Sequence, residues 1–376
     1  MQTIFHMPPV QSLRATIIVP AKDEEDNICD MLDSLILQVD PQGNAVSTAL
    51  YEVLLLVNNS TDLSFALALK YQLKYPQFPL HIAEITLPKQ DAHIGTVRRL
   101  LMDEAYYRFQ LLANPDGIII STDGDSRVDS CWLHYIFAEF DTGCDVVGGR
   151  IISEYSESPS RKYHLKDVGY RYLVTHLESC IDPCAFDPWP RHFQCYGPST
   201  AVKCSIYEKA GRLPVLPFLE DENFRKALIR IDARIRRSPR VKVYTSSRES
   251  GQVDFGFSIQ LNKWTKMKME GKKIFVEAPV SLIIKFNAKK DLRKLFTDYH
   301  LNKRSDTKQL KQLAKSLFLE EEWLRLKIST ATYFGSLWED TELALNAQKW
   351  DERHPVIPID AAIGHLRNLL YAKQPA

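Results

Sequence analysis

The chain has 376 residues, enough for one large or two ordinary domains, and its 45% hydrophobic and 25% charged residues are typical of a globular protein. The longest apolar runs, such as VLLLV at 53–57, are far shorter than the ~20 residues of a membrane-spanning helix. The N-terminus has no signal-peptide pattern, and the odd number of cysteines, seven, suggests reduced thiols. We therefore expect a cytoplasmic protein.

The formal net charge of +1 conceals two strongly basic segments, 225–248 and the longer 263–315. Residues 263–315 carry 15 Lys/Arg and 5 Asp/Glu. Two interpretations stay open: a solvated helix surface, or a peripheral contact with an anionic membrane. We expect no nucleic-acid partner, and the sequence does not predict the oligomeric state.

Short apolar strands and amphipathic helices alternate over the first 150 residues. Each predicted strand is a short apolar run, and each predicted helix repeats apolar residues every three or four positions. The predicted order is strand 15–20, helix 24–39, strand 51–57, helix 62–75, strand 80–85, helix 95–113, strand 117–122, a helix capped by Asp129, and strand 145–149.

This alternation indicates an α/β fold with a mostly parallel, twisted sheet and helices on both faces. Residues 150–194 break the alternation and are interpreted as an inserted segment. Another strand is predicted at 241–248, and the chain from about 257 onward is mainly helical. Ligands of such sheets bind at the carboxyl ends of the strands, so the polar residues that follow the first, second and fourth strands are candidate site residues.

Two aspartates, Asp123 and Asp125, follow the fourth predicted strand in ISTDGDS (120–126). Carboxylates this close repel each other, and neither has an obvious partner within the segment. A divalent cation would remove the repulsion because hard cations bind carboxylate oxygens. We therefore predict that this pair holds Mg²⁺ or Mn²⁺.

Three chemistries place aspartates at this spacing after a strand. A calcium loop fails because Arg127, Val128 and Tyr135 stand where a ligand, a glycine and a glutamate are needed. A haloacid-dehalogenase-type phosphohydrolase would use Asp123 as nucleophile, but its pair normally follows the first strand. A nucleotide-sugar transferase would use a cation on this pair to neutralise a diphosphate leaving group, which also accounts for the other polar loops.

Five segments resemble a family 2 glycosyltransferase of the GT-A fold, in the order that this family has. They are IIVPAKDEEDNI (17–28), LLLVNNSTD (54–62), HIGTVRRLLMDEA (93–105), ISTDGDS (120–126) and FLEDENFRKAL (218–228). The chain departs from the family pattern at Asp23, where Asn is usual, at Asn58, where Asp is common, and at Val97, which replaces a small residue.

The resemblance implies a metal-dependent enzyme that moves a sugar from a UDP- or GDP-sugar to an acceptor hydroxyl with inversion. Asp221 would be the general base, with Glu220 as neighbour and substitute, and Asp123 and Asp125 would hold the cation on the diphosphate. GPSTAV (197–202) would line the sugar pocket. The nucleotide sugar would contact Pro20, Asp23, Glu24, Asn58, Asp62, Arg98 and Asp123.

Arg248 lies in TSSRESGQ (245–252), a hydroxyl-rich loop that suits recognition of an acceptor phosphate or carboxylate. The predicted glycosyltransferase domain covers 1–256, with a nucleotide-sugar half at 15–150 and an acceptor half at 195–250. A helical extension covers 257–376. The donor sugar and the acceptor are not predicted.

Other classes stay open at this point. A retaining GT-A transferase would not use the Asp221 base, and a non-catalytic GT-A scaffold would not need four acids at 123, 125, 220 and 221. A nucleotidyltransferase usually has a glycine-rich loop after the first strand, which VPAKDEED lacks. A zinc site is conceivable, although the spacing fits no compact zinc motif, at Cys180, Cys184, His192, Cys195 and Cys204.

Overall fold

The computed structural model describes residues 4–154, 157–246, 257–302 and 306–371. Two compact units divide the chain. The first comprises Met1–Ser156, Gln194–Leu228 and Ala233–Ser258, and the second comprises Glu157–Phe193, Ile229–Asp232 and Ile259–Ala376. The domain division at 256/257 stays a prediction, and residues 157–193 cluster with the C-terminal helices rather than with the sheet.

Eight strands pair in one sheet of the first unit, within the part of the chain that the structure describes. Their order across the sheet is β3-β2-β1-β4-β7-β6-β8-β5. In chain order they are β1 (Ala15–Ala21), β2 (Tyr51–Asn58), β3 (Leu80–Ile85), β4 (Ile118–Ser121), β5 (Ser126–Val128), β6 (Val146–Ser153), β7 (Thr200–Lys203) and β8 (Ile235–Thr245). β1 to β4 are parallel, as predicted. β7 is antiparallel to both of its neighbours, and so is β5 to β8.

Helices surround the sheet and make up most of the second unit. In chain order they are α1 (Ile28–Ile36), α2 (Ser64–Lys74), α3 (Ile94–Leu111), α4 (Trp132–Asp141), α5 (Arg161–Ile181), α6 (Cys204–Lys209), α7 (Glu220–Arg230), α8 (Phe257–Met269), α9 (Pro279–Asn302), α10 (Thr307–Leu317), α11 (Glu321–Thr330), α12 (Phe334–Ala347), α13 (Trp350–Arg353) and α14 (Ile359–Tyr371).

Alternate residues of the central strand β1 face two different hydrophobic clusters, as a strand with both faces covered requires. Ile17 and Val19 pack with residues of α1, α2 and α4. Ile18 packs with residues of α3, α6 and α7 on the other face. The predicted α/β class with helices on both faces of the sheet is therefore confirmed.

Two predicted helix starts differ from the structure. α1 begins at Ile28 rather than at residue 24, because Asp23 has a left-handed backbone (φ 50°) and residues 25–27 form a turn. α4 begins at Trp132 with Cys131 as its N-cap residue. Asp129 lies two residues before Cys131, and its Oδ1 accepts a hydrogen bond from the backbone N–H of Cys131 at 3.2 Å.

The second unit is mainly helical, as predicted for the C-terminal part. β9 (Phe275–Val276) and β10 (Ile357–Pro358) form a short antiparallel pair. One hydrophobic cluster is built from α9 to α13, and another from α5, α9 and α14. In the described ranges, no helix is both long enough and apolar enough to cross a membrane.

Candidate active site

The guanidinium group of Arg98, on α3, contacts two carboxylates from distant parts of the sequence. Its Nη2 donates to Oδ1 of Asp123 at 2.6 Å, and its Nη1 donates to Oε1 of Glu220. The side chains of Arg98 and Glu220 are only 4% and 5% exposed, whereas that of Asp123 is 26% exposed. Three of the predicted site residues therefore meet in one partly buried ion cluster.

Local backbone features bring these three residues together. Asp123 lies just beyond the carboxyl end of β4, and α3 begins one turn before Arg98 with the side chain of His93 accepting the N–H of Thr96. Glu220 starts α7 directly after Leu219, whose φ of 58° turns the chain into the helix. Gly197 lies against the guanidinium group, since a Cβ there would be 2.6 Å from Nη1 of Arg98.

Asp221 is adjacent to Glu220 but has different surroundings. Its Oδ2 accepts the backbone N–H of Gly197 at 2.9 Å, and its Oδ1 accepts that of Glu222 at 2.7 Å. Asp221 is half-buried, whereas Glu220 is buried and paired with Arg98. A carboxylate has about four acceptor positions, so Asp221 keeps capacity for a further hydrogen bond.

The cluster contains more acidic than basic groups. Burial raises the pKa of Asp123, and the nearby charge of Asp125 raises it further, while Arg98 opposes the rise. Burial also raises the pKa of Glu220 against the effect of Arg98. Burial alone would lower the pKa of Arg98, but Asp123, Glu220 and Asp221 raise it. One guanidinium group does not balance these acids, so the site would accept additional positive charge.

The aspartate pair provides oxygen ligands suited to such a cation. Gly124, between the two aspartates, packs over the end of β1, where a Cβ would lie 3.2 Å from the carbonyl oxygen of Pro20. Mg²⁺ is commonly bound by one or two carboxylates together with substrate phosphates. Within the described ranges no group of three or more His, Cys, Asp or Glu side chains is arranged to hold a metal, including the cysteines considered for zinc. The pair therefore fits a cation shared with a phosphate ligand.

Polar residues of the segment after β1 form hydrogen bonds with the segment after β2. Oδ1 of Asp23 accepts the N–H of Thr61 at 2.7 Å. Oδ2 of Asp62 accepts the N–H of Glu25 at 2.9 Å, and the N–H of Glu24 donates to Oγ of Ser64 at 2.7 Å. Asp23 and Asp62 therefore fix the shape of this edge of the sheet, and their side chains are engaged in doing so.

Asn58 is the last residue of β2 and is buried at the same edge, 5% exposed. Its neighbour Asn59 has a φ of 48° and uses its carboxamide to bind the backbone of Leu87 at 2.8 and 3.1 Å. Arg248, predicted to contact the acceptor, lies outside the described residues.

Three buried hydroxyl groups lack hydrogen-bond partners within the described ranges; Ser199 was expected to line the sugar pocket, whereas Ser121 and Thr122 were given no role of their own from the sequence. The Oγ atoms of Ser121 and Ser199 and the Oγ1 of Thr122 find no hydrogen-bond partner among the described residues. Ser121 lines a cavity of about 10 Å³ with Arg98 and Asp221, which is room for about one water molecule and far too small for a sugar. A hydroxyl group at a strand end is common, so only the three-dimensional contacts single these residues out.

The class of protein follows from the sheet, the aspartate pair and a comparison with protein families. Residues 16–190, a little under half of the chain, match the family described as "Glycosyl transferase family 2". This match confirms the family resemblance inferred from the sequence for residues 16–190, and it indicates a glycosyltransferase domain in this part of the chain.

Solved structures of other proteins match this chain over most of its length at low sequence identity. S. aureus TarS 1-349 in complex with UDP-GlcNAc is 14% identical, with 90% of this chain and 92% of that chain covered and a TM-score of 0.45. The mannosyltransferase PcManGT from Pyrobaculum calidifontis, in complex with GDP-Man and Mn²⁺, is 15% identical, with 98% and 91% covered and a TM-score of 0.42. No curated protein matches the sequence.

Proposed function

We propose that the chain is a metal-dependent glycosyltransferase that moves a sugar from a UDP- or GDP-sugar to an acceptor hydroxyl with inversion. The observation that carries this proposal is the ion cluster in which Arg98 joins Asp123, after β4, to Glu220, at the start of α7. Asp221 follows directly in the chain. Carboxylates suited to a metal–diphosphate group and a carboxylate suited to proton transfer therefore lie side by side.

On the donor side, Asp123 and Asp125 would hold Mg²⁺ or Mn²⁺. Such a cation, when bound, neutralises the negative charge that develops on a departing diphosphate. Arg98 would orient the Asp123 carboxylate through its 2.6 Å hydrogen bond. The nucleotide would lie along the edge of the sheet that is shaped by Pro20, Asp23, Glu24, Asn58 and Asp62.

On the acceptor side, Asp221 would be the general base. The acceptor oxygen forms a bond to the anomeric carbon while the bond from that carbon to the diphosphate breaks, and the hydroxyl proton passes to the Asp221 carboxylate. Two backbone N–H groups hold this carboxylate in place and leave it acceptor capacity. Glu220 is less suited to this role because it is buried against Arg98.

Product analysis with a panel of UDP- and GDP-sugars and Mn²⁺ tests the proposal. We expect one donor to release its nucleoside diphosphate, and NMR of the freshly released or transferred sugar to show the inverted anomer. A retained anomer would overturn inversion and the base role of Asp221. Release of inorganic phosphate from simple phosphate esters would favour the phosphohydrolase, and no turnover of any donor would favour the scaffold.

A further inference from the structure

The second unit contains a pocket that the proposed transfer reaction does not use. It has a volume of about 570 Å³, within the range of ~300–1,000 Å³ that is usual for small-molecule sites. Its walls come from the start and first half of α5, from α8 and from α14. Every lining residue belongs to the second unit, so the pocket is defined within that unit alone.

The charges around this pocket are mostly positive. Asp360, the acidic lining residue, forms an ion pair with Lys166 at 2.6 Å. Lys162, Lys268 and Arg367 are exposed and have no carboxylate partner in the part of the chain that the structure describes. The five basic lining residues are Arg161, Lys162, Lys166, Lys268 and Arg367. The pocket therefore has a surplus of four positive charges over its single acid.

The pocket also has an apolar part and the positive end of a helix. Pro159, Leu165 and Ile363 contribute apolar surface beside the basic side chains. Ser158 and Arg161 place the N-terminus of the 21-residue helix α5 at its wall. A helix N-terminus favours negative charge, and it does so here next to three cations that lack a carboxylate partner among the described residues.

We propose that this pocket binds a phosphate ester, with the phosphate among the basic residues and the attached carbon chain against Leu165 and Ile363. Lysine and arginine bind phosphate oxygens by charge-assisted hydrogen bonds. A purely apolar ligand would leave the cations unused, and a free inorganic anion would leave the apolar wall unused. This inference does not rest on the proposed transfer reaction.

Calorimetric titration of the full chain in EDTA, with hexyl phosphate, inorganic phosphate and 1-hexanol as probes, tests the proposal. We expect hexyl phosphate to bind about tenfold or more tightly than either partial probe. The double variant K162Q/R367Q should weaken hexyl phosphate binding about tenfold or more, because it removes two charges that face the ligand. The charge-matched double variant K311Q/K315Q, on exposed positions of α10, should bind like wild type.

The proposal is overturned if both double variants weaken hexyl phosphate binding equally, or if the wild type shows no measurable hexyl phosphate binding. Unaltered binding in K162Q/R367Q overturns it as well. Co-sedimentation with vesicles of phosphatidic acid in phosphatidylcholine distinguishes the source. If the wild type binds the vesicles and K162Q/R367Q does not, the ligand is a lipid headgroup. If the wild type binds hexyl phosphate but not the vesicles, the ligand is a soluble ester. No nucleotide sugar is present, so failure here leaves the proposed transfer reaction untouched.

Discussion

Arg98 and Glu220 form a buried ion pair although 122 positions separate them in the chain. The pair ties the first turns of α3 to the start of α7, and the second Nη of Arg98 reaches the aspartate motif after β4. A buried charge that loses its partner is costly, since it has given up its contact with water. The stability of this unit and the geometry of its candidate site should therefore depend on the same guanidinium group.

A double-mutant cycle on this pair should show strong coupling. R98Q leaves buried carboxylates without their cation and should lower the free energy of unfolding by about 3–5 kcal/mol. R98Q/E220Q should be destabilised by about 1–3 kcal/mol less than the sum of the two single variants. Urea unfolding measures each value. R127Q, which breaks an exposed ion pair with Glu154, should cost at most about 1 kcal/mol. Strict additivity of R98Q and E220Q would contradict the pairing.

Asp221 should affect turnover without affecting donor binding. In D221N the carboxamide oxygen can still accept the N–H of Gly197, so the fold of this segment should persist. Loss of the proton acceptor should lower kcat by about 10²- to 10⁴-fold. The comparison variant E222Q alters a neighbouring, half-buried acid that pairs with Arg225 on the same helix, and its kcat should stay near wild type. Steady-state kinetics would refute the assignment if the two variants were equally active.

Gly197 should tolerate no side chain. A Cβ at this position would lie 2.6 Å from Nη1 of Arg98, which is held between Asp123 and Glu220 and has little room to move. G197A should therefore lower the free energy of unfolding by about 1–3 kcal/mol, as overpacking does, and reduce activity. G364A is the comparison, because a Cβ there meets nothing within 4 Å, and chemical denaturation should show no loss of stability. Equal stability of G197A and wild type would count against the arrangement around Arg98.

His164 should make the second unit sensitive to acid. Burial holds the pKa of His164 below its usual value, although Asp167 opposes the shift. The neutral ring is thus favoured in the folded state, so its contribution to stability is present above the ordinary pKa of about 6.5 and is lost as the pH falls through the lower folded-state value. The ring of His164 stacks on that of Trp264 with 5.8 Å between the ring centroids, and H164F keeps an aromatic ring in this place.

Thermal unfolding between pH 7.5 and 5.0 measures this effect. The melting temperature of the wild type should fall more over this range than that of H164F, because phenylalanine cannot be protonated. The difference between the two chains isolates His164 from other groups, including His176, whose pKa burial also lowers. Identical acid sensitivity of both chains would contradict a half-buried His164 that is neutral in the folded state.

The sequence predicts the elements whose signal is local. β1 to β4 are apolar runs bounded by polar turns, and all four lie close to their predicted positions. β7 has only four residues and exists through antiparallel pairing with β4 and β6, which no local pattern encodes. Residues 24 and 25 look like first-turn acids of a helix, but their N–H groups instead bind Ser64, at the start of α2, and Asp62, in the loop before it.

The candidate site divides in the same way. Asp123 and Asp125 can be chosen as candidates from the sequence because the strand before them and their mutual repulsion are both visible in one short segment. The contact between Arg98 and Glu220 cannot, since it depends on how α3 and α7 pack on the same face of the sheet. Gly197 was expected to line a sugar pocket, and its contact with the guanidinium group appears only in the folded chain.

Donor binding with and without metal tests the central claim most directly. Calorimetry with UDP- and GDP-sugars should find one donor that binds in Mn²⁺ and binds at least about tenfold more weakly in EDTA. D125N should bind that donor in Mn²⁺ as weakly as wild type does in EDTA. D116N alters a highly exposed acid just before β4 and should behave like wild type. The account would be contradicted if neither EDTA nor the D125N substitution changed the affinity for the donor, or if no donor bound at all.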